Sequence, residues 1–311
     1  MSKKVCGRFA PSPSGQMHLG NAWSALLAWL SCRSQGGEMV LRLEDLDPDR
    51  CKKEYCDGVE TDLKWLGLDW DRGGSTGGAF YYQSCRSEAY HAALDTLSRQ
   101  GLMYPCFCTR GQLHAPNAPH RSDGEVLYAG TCRNLTPEER MHRSMTRRPA
   151  QRIRVDNEVI EFDDRILGHY AEQLDRDCGD FILRRSDGVF AYQLAVVVDD
   201  AAMGVNQIVR GSDLLTSTPR QIWLQKKLGY DVPEYAHVPL LCAPDGRRFS
   251  KREADLTLAS LRASGVSPQT IIGRLACSAG LIDKPDPITP AELVTVFSFD
   301  AIPKKDIIFQ W

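Results

Sequence analysis

The chain has 311 residues, 42% of them hydrophobic and 25% charged, and its formal net charge is −2. This length predicts two or three domains, and this composition is typical of a soluble globular protein with a sizeable core. No apolar stretch reaches the length of a membrane span and the first residues lack a signal-peptide pattern, so we expect a cytoplasmic protein without membrane contact.

The first elements predict an anion site. Residues 5–9 are apolar and predict a strand, and a turn rich in Pro, Ser and Gly follows them. After His18 a helix is predicted from apolar residues at helical spacing, namely Leu19, Trp23, Leu26, Leu27 and Leu30. Free backbone N–H groups and the helix dipole face whatever binds at such a helix start, and a histidine there adds a donor for phosphate oxygens.

The segments that follow predict a doubly wound, parallel α/β sheet. The predicted elements are a strand at 39–43, helices at 52–67 and 86–100, a buried strand at 196–200 and a helix at 217–228. Alternating strands and helices form parallel sheets, whose ligands bind at the carboxyl ends of the strands. Residues 104–190 are irregular and predict an insertion, and residues 253–311 predict a short helical region.

Two motifs far apart in the chain carry a resemblance to a known family. The segment 18–21 (His-Leu-Gly-Asn) resembles the HIGH signature of class I aminoacyl-tRNA synthetases, and 248–252 (Arg-Phe-Ser-Lys-Arg) resembles their KMSKS loop. Either motif alone is weak, but the pair in this order is strong. The resemblance implies a Rossmann-type catalytic domain formed by residues 1–103 and 191–252, with residues 104–190 inserted in it.

The same resemblance implies that the chain activates a carboxylate with ATP and Mg²⁺. The amino-acid carboxylate attacks the α-phosphate and pyrophosphate leaves, so catalysis consists of positioning and of stabilising phosphate charge. By resemblance, His18 and Lys251 are the catalytic residues, and ATP is bound by these two together with Gly20, Asn21 and Ser250.

Further segments resemble the glutamyl branch of the family, namely 8–12, 41–47, 190–200 and 208–211. Glutamate has two carboxylates and one ammonium group, so its pocket needs two cations and one anion, and arginine suits planar carboxylates. The resemblance implies that Arg8 and Arg210 bind the carboxylates, with Arg210 on the side-chain group. It also implies that Glu44 binds the α-amino group, and that Ala10, Ser12 and Tyr192 complete the pocket.

The insertion contains a possible structural zinc site. Cys106, Cys108 and Cys132 have suitable spacing for three ligands of one Zn²⁺, but the spacing leaves the fourth ligand open, with His114 and His120 as generic candidates. The family pattern instead implies Tyr128 as the fourth ligand. The alternative is ordinary packing of free thiols, which is how we interpret the remaining cysteines of the chain.

The acceptor follows from a further resemblance. Full-length glutamyl-tRNA synthetases continue well beyond the KMSKS loop, whereas residues 253–311 resemble only the first, stem-contacting helical region, and we expect no anticodon-binding domain. This arrangement resembles the glutamyl-queuosine tRNA(Asp) synthetases, which attach glutamate to the queuosine base at the wobble position of tRNA(Asp). Residues 133–154, with seven arginines against two glutamates, are then either a solvated loop or a surface for phosphates of the anticodon stem-loop.

Two alternatives remain open. The chain could be a shortened glutamyl-tRNA synthetase that charges the 3′ end of tRNA(Glu), or a non-catalytic, synthetase-like module that binds RNA. The complete set of motif residues argues against the silent module, and the short C-terminal region favours the queuosine-directed enzyme. We expect a monomer.

Overall fold

The structure is a computed structural model that describes residues 3–113, 127–247 and 257–311. Within these segments the helices are α1 (Leu19–Arg33), α2 (Lys53–Leu66), α3 (Ser87–Arg99), α4 (Arg110–Leu113), α5 (Pro137–Ser144), α6 (Leu174–Asp177), α7 (Tyr192–Met203), α8 (Thr218–Leu228), α9 (Leu258–Ala263), α10 (Pro268–Ser278) and α11 (Pro290–Leu293). The strands are β1 (Cys6–Phe9), β2 (Glu38–Leu41), β3 (Arg72–Gly73), β4 (Met103–Cys106), β5 (Ala150–Ile153), β6 (Val159–Asp164), β7 (Gly168–Gln173), β8 (Phe181–Arg184), β9 (Gln207–Gly211), β10 (Glu234–Val238), β11 (Leu241–Cys242) and β12 (Ile307–Ile308).

The central sheet is mostly parallel and has helices between its strands. Strands β1, β2 and β3 pair in parallel, and so do β9, β10 and β6, while β7 returns antiparallel to β6. Strand β1 lies beside β9, where the Asn206 N–H donates to the Cys6 carbonyl over 3.0 Å. The predicted parallel α/β architecture is therefore confirmed.

A second, smaller sheet is antiparallel and consists of β4, β5 and β8. It is formed by part of the segment that the sequence predicts as an insertion. The hairpin of β6 and β7 comes from the same segment, yet it pairs with β10 of the central sheet. The domain boundaries stay predictions.

The helices on the central sheet are stabilised by buried apolar side chains. Helix α1 is buried along most of its length and shares a core with α2 and with the C-terminal helices α9 and α10. The Trp23 indole N–H in α1 donates to the Pro239 carbonyl over 2.7 Å, so this buried ring keeps a hydrogen-bond partner. Among the described residues, no helix combines the length and apolarity that crossing a membrane requires.

Most sequence-predicted elements are confirmed, and one is wrong. The predicted helix at 52–67 corresponds to α2, which ends at Gly67 in a left-handed conformation with φ of 80°, as a glycine stop allows. Residues 196–200 are not a strand but the middle of helix α7. Three consecutive valines mimic a strand, but a short apolar run does not distinguish a buried strand from a buried helix, and α7 is packed on nearly all sides.

Candidate active site

A cavity of about 520 Å³ opens at the carboxyl ends of β1 and β9, beside the start of α1. It is lined by most of the predicted substrate residues, namely Arg8, Ala10, Ser12, His18, Gly20, Asn21, Glu44, Tyr192 and Arg210. Residues from four separate parts of the chain thus surround one space, where parallel sheets bind ligands. The predicted ligands Ser250 and Lys251 lie outside the described residues, as do His114 and His120.

His18 is held in place by a reciprocal cap at the start of α1. Its Nδ1 accepts a hydrogen bond from the Gly20 N–H over 3.1 Å, and its own N–H donates to Asn21 Oδ1 over 3.1 Å. Because Nδ1 accepts, a neutral imidazole carries its proton on Nε2. A side chain at Gly20 would lie 3.0 Å from the imidazole Cε1, so glycine leaves room for this ring position.

Arg8 is a buried cation on β1. Its Nη1 donates to the Val209 carbonyl over 3.1 Å, and its Nε lies 3.8 Å from Asp200 Oδ1. Burial lowers the pKa of the Arg8 guanidinium, although the charge of Asp200 opposes this effect. The contact with Asp200 therefore offsets part of the cost of keeping this cation out of water.

Glu44 is a buried carboxylate beside two arginines. Its Oε1 lies 3.1 Å from Arg42 Nη2, and the other end of the Arg42 guanidinium contacts Asp200 Oδ1 over 2.6 Å. Burial raises the pKa of Glu44, and the charges of Arg42 and Arg8 counteract only part of that rise. Arg8 and Glu44 are thus linked through Arg42 and Asp200.

Arg210 lies on β9 and donates hydrogen bonds in several directions. Its shortest contacts are with Gln221 Oε1 and Thr218 Oγ1, both at 2.8 Å, and its Nε donates to His237 Nε2 over 3.1 Å. Tyr192, the first residue of α7, accepts from Arg210 Nη1 through its hydroxyl over 3.3 Å. Two residues that the sequence places far apart therefore meet at the cavity wall.

A second cavity of about 260 Å³ adjoins the first. The two cavities share Ser12, Glu44 and Tyr192. The second is also lined by polar and aromatic residues that the first lacks, including Asp47, Arg50, Gln83, Arg185 and Phe190. A molecule in one cavity would therefore lie next to a molecule in the other.

The predicted metal ligands also come together. The Sγ atoms of Cys106, Cys108 and Cys132 lie within 4.8 Å of one another, and the Tyr128 hydroxyl lies 3.6 Å from Cys106 Sγ and 3.9 Å from Cys108 Sγ. The guanidinium of Arg152 lies 3.7 Å from the centre of the Tyr128 ring.

The thiols and the phenol of this cluster differ in acidity. Burial acts to raise the pKa of the Cys106 thiol, but the Arg152 charge and hydrogen bonds outweigh it, so that pKa is lowered. Burial, together with the neighbouring Cys106, raises the pKa of Cys108 to about 11, and burial raises that of Tyr128. A cation held by these groups would lower the pKa of each of them by stabilising its anion.

The residues that hold the predicted ligands were not predicted from the sequence. Arg42 and Asp200 connect Arg8 to Glu44, and His237 contacts Arg210, but none of the three was assigned a role. The available signals were a lone arginine within an apolar strand pattern and two aspartates at the end of an apolar run. His237 gave no comparable signal beyond a lone histidine in an apolar segment.

Comparisons with known proteins agree with this geometry. The sequence matches the family described as tRNA synthetases class I (E and Q), catalytic domain, over residues 4–285. It is 50% identical over 308 residues to the glutamyl-Q tRNA(Asp) synthetase of Symbiobacterium thermophilum, covering 97% of this chain and 95% of that protein. It is 49% identical over 308 residues to the glutamyl-Q tRNA(Asp) synthetase of Nitratidesulfovibrio vulgaris, covering 98% and 95% respectively.

Solved structures of the same fold include one that covers nearly the whole chain. It is the crystal structure of a glutamate tRNA ligase from Elizabethkingia meningosepticum in complex with its amino acid, with a TM-score of 0.84 and 27% sequence identity. The similarity covers 99% of this chain and 67% of the ligase chain.

Proposed function

Since the chain belongs to the class I tRNA synthetases of the E and Q type, we propose that it activates L-glutamate with ATP and transfers it to queuosine in tRNA(Asp). The observation that carries this proposal is that Arg8, Arg210 and Glu44, two cations and one anion, line the same 520 Å³ cavity, with Asp213 as a second acid at its wall. L-Glutamate carries the complementary groups, two carboxylates and one ammonium. Arg210 binds the side-chain carboxylate in this scheme.

Activation joins glutamate to the nucleotide at the start of α1. A carboxylate oxygen of glutamate attacks the α-phosphorus of ATP, the bond to the β-phosphate oxygen breaks, and pyrophosphate leaves with that electron pair. ATP enters as its Mg²⁺ complex. The helix N-terminus and the Nε2–H of His18 stabilise the phosphate charge, and Lys251 supplies a further cation.

Transfer requires an acceptor beside the mixed anhydride of glutamate and AMP. The second cavity adjoins the first, so an acceptor in it would lie next to the anhydride. A hydroxyl of the cyclopentene diol of queuosine attacks the glutamyl carbonyl, and the bond between the carbonyl carbon and the phosphate oxygen breaks. AMP leaves with that electron pair, and the hydroxyl proton passes to a phosphate oxygen of AMP. Asp47, Arg50 and Gln83 offer the diol hydrogen-bonding groups, and the Phe190 ring offers the base an apolar face. An unpaired anticodon base reaches such a cavity more readily than a base within a duplex.

The relatives support the queuosine acceptor over 3′-end charging. The chain covers 95% of each of the two relatives named glutamyl-Q tRNA(Asp) synthetase, at about half identity, whereas it covers 67% of the solved glutamate tRNA ligase. The intact set of cavity residues favours an enzyme over a silent RNA-binding module.

We also assign the cysteine cluster to one structural Zn²⁺. Four ligands at about 2.3 Å in tetrahedral geometry lie about 3.8 Å from one another, and Cys108 Sγ and Cys132 Sγ are 3.7 Å apart. The Tyr128 hydroxyl completes a set of three sulfurs and one oxygen, with its position fixed by the Cys132 N–H at 2.7 Å. When bound, the ion would tie the end of β4 to residues 128–132, so its role is structural.

The test is transfer of labelled glutamate, with ATP, to total tRNA from cells that make queuosine and from cells that cannot. We expect label only on the queuosine-containing tRNA, and loss of that label with Lys251→Ala but not with Lys284→Ala, which removes an exposed lysine. Equal labelling of both tRNA pools would show 3′-end charging instead. Absence of both labelling and glutamate-dependent pyrophosphate exchange would indicate the silent module.

A further inference from the structure

Arg210 is held by three close contacts with residues outside the cavity wall. Its Nε donates to His237 Nε2, its Nη1 to Gln221 Oε1 and its Nη2 to Thr218 Oγ1, at 3.1, 2.8 and 2.8 Å. None of these three partners is among the described residues that line the 520 Å³ cavity. These contacts fix the plane of the guanidinium from the protein side.

The remaining two contacts of Arg210 are longer and lie on the cavity side. Nη1 donates to the Tyr192 hydroxyl over 3.3 Å, and Nη2 donates to the Leu214 carbonyl over 3.5 Å. Tyr192 and Leu214 both line the cavity. One N–H on each terminal nitrogen is thus exchangeable for a ligand, and two such parallel donors match the two oxygens of a carboxylate.

Strand pairing places His237 and Asp164 behind Arg210. In the parallel register of β9 and β10, His237 lies opposite Arg210, and β6 brings Asp164 to the other side of β10. The His237 ring is fully buried, and its Nδ1 lies 2.6 Å from Asp164 Oδ2. Three adjacent strands therefore align a carboxylate, an imidazole and a guanidinium.

Asp164 is a stable anion despite its burial. Its Oδ1 accepts from the N–H groups of Ile166 and Leu167 at 3.0 and 2.9 Å, and its Oδ2 accepts from the His237 N–H at 3.0 Å. Burial acts to raise the pKa of Asp164, but the hydrogen bonds from His237 and the backbone outweigh it and lower that pKa. An ionised Asp164 accepts the His237 Nδ1–H, so the lone pair of the ring is on Nε2, facing the Arg210 Nε–H.

His237 is also kept neutral by its surroundings. Burial lowers the pKa of its imidazole, and the positive charges of Arg210 and Arg8 act in the same direction against the pull of Asp164. The Tyr235 ring stacks against it with centroids 6.1 Å apart. A neutral ring with a fixed tautomer is an acceptor for Arg210 and cannot repel it.

We propose that Asp164 and His237 are positioning residues that aim the Arg210 fork at the substrate side chain and thereby set the preference for glutamate over glutamine. A guanidinium has only donors, and with its Nε held by His237 the terminal N–H groups face the side-chain site. A glutamine amide would place its own N–H₂ donors against one of them, whereas a carboxylate offers only acceptors. The inference rests on the proposed function, in which Arg210 binds the side-chain carboxylate.

The test compares two substitutions at His237 and one at Asp164. His237→Leu removes the acceptor, while His237→Gln restores one through its amide oxygen. Asp164→Asn is nearly isosteric, but its amide N–H₂ is a donor. Facing His237 Nδ1, it would favour the tautomer of His237 that carries the proton on Nε2. Asp163→Asn is the matched control, because Asp163 neighbours Asp164 on β6 but is exposed and faces His169.

The measurements are the KM for L-glutamate, the KM for ATP, kcat, and the ratio of kcat/KM for L-glutamate to that for L-glutamine, by pyrophosphate exchange with tRNA present. We expect His237→Leu and Asp164→Asn to raise the KM for glutamate about tenfold or more, and to lower the glutamate-to-glutamine ratio. The KM for ATP should stay unchanged. The KM for glutamate and the selectivity of His237→Gln should lie closer to the wild-type values than those of His237→Leu. Asp163→Asn should have the wild-type values.

The outcomes separate the inference from the proposed function. If the wild type shows no glutamate-dependent exchange, the proposed function and the inference both fail. If the wild type activates glutamate but His237→Leu and Asp164→Asn keep its KM and selectivity, only the inference is overturned. An equal rise in the KM values for glutamate and ATP would indicate general damage and would also overturn it. Should His237→Leu fail to fold, the milder Asp164→Asn and His237→Gln decide the question.

Discussion

Glu44 has a pKa above that of an ordinary glutamate because it is buried, and its charged form is the one that binds an ammonium group. Affinity for L-glutamate should therefore be highest above this raised pKa, where Glu44 is charged, and should fall as the pH drops through it. We expect the KM for glutamate to rise as the pH falls, beginning above the ordinary glutamate pKa of about 4.3, where the side chain of free glutamate is still ionised.

The check on this pH dependence is Glu44→Gln. That variant should have a higher KM for glutamate throughout, with a flat profile over the same range, because no carboxyl group remains at this position to titrate. A wild-type profile as flat as that of the variant would contradict the role of Glu44. The KM for ATP, measured alongside, shows whether the effect is confined to the amino acid.

The predicted residues that line the cavity were easier to identify from the sequence than the residues that hold them. His18, Arg8 and Glu44 stand in motifs with a recognisable order of residue types, and the structure places all three at one cavity. Asp164 and His237 come from separate strands, and their roles depend on strand pairing and register. A single sequence carries the identities of such residues but not the pairing that brings them together.

The link between β2 and α7 depends on one buried arginine. Arg42, just after β2, is fully buried and lies within 4 Å of carboxylate oxygens of Glu44, Asp199 and Asp200. Removing it would leave these acidic groups without their shared cation. We expect Arg42→Met to lower the free energy of unfolding by about 3–5 kcal/mol, measured by urea denaturation.

A surface arginine provides the comparison for that loss of stability. Arg165 pairs with Glu234, and both side chains are about half exposed. Such pairs contribute at most about 1 kcal/mol, so Arg165→Met should change the midpoint of denaturation little. Similar losses in the two variants would mean that the buried network does not stabilise the link between β2 and α7.

Helix α7 shows where pattern-based prediction fails. Its valines favour a strand, but Asp199 and Asp200 must reach Arg42 and Arg86, and Tyr192 must reach Arg210. A helix places Tyr192 at its start and the two aspartates two turns later. These tertiary contacts outweigh the local preference of β-branched residues. By contrast, the amphipathic helices α2 and α3 show a clear helical period and were predicted within one residue at each end.

The cysteine cluster leads to a prediction about metal content. Freshly purified protein should contain one zinc per chain by elemental mass spectrometry, and Cys132→Ser should lose most of it, because three donors remain. The melting temperature should fall on chelation in the wild type but not in Cys132→Ser. Cys85→Ser removes an exposed thiol and should retain full zinc. Absence of zinc from the wild type, or full occupancy in Cys132→Ser, would contradict the assignment.

The charge of the whole molecule is nearly balanced, but its arginines are concentrated locally. Arg148 and Arg184 both approach the turn at Gly188, and Arg185 beside it lines the second cavity. Phosphates flanking a base in that cavity would therefore meet positive charge. Binding to such a patch releases counterions and weakens as salt concentration rises.

We expect Arg147→Gln combined with Arg148→Gln to weaken tRNA binding and to flatten its salt dependence. The slope of log K against log salt should become shallower by about one for each phosphate contact removed. Filter binding at several salt concentrations measures this slope. Lys3→Gln combined with Lys4→Gln is the control, because these lysines precede β1 at the opposite end of the sheet from the cavities. Equal changes in the two pairs would indicate only a general charge effect.

The hydrogen bonds that surround Arg8, Glu44 and Arg210 have a consequence for the entropy of binding. A long side chain that becomes fixed on a ligand loses up to about 1.5–2 kcal/mol of rotamer freedom. Here each of the three side chains already contacts a protein partner, so this freedom is lost when the chain folds. An amino acid would therefore bind to a pocket whose side chains are already ordered. Its association would include no separate step in which these side chains become ordered.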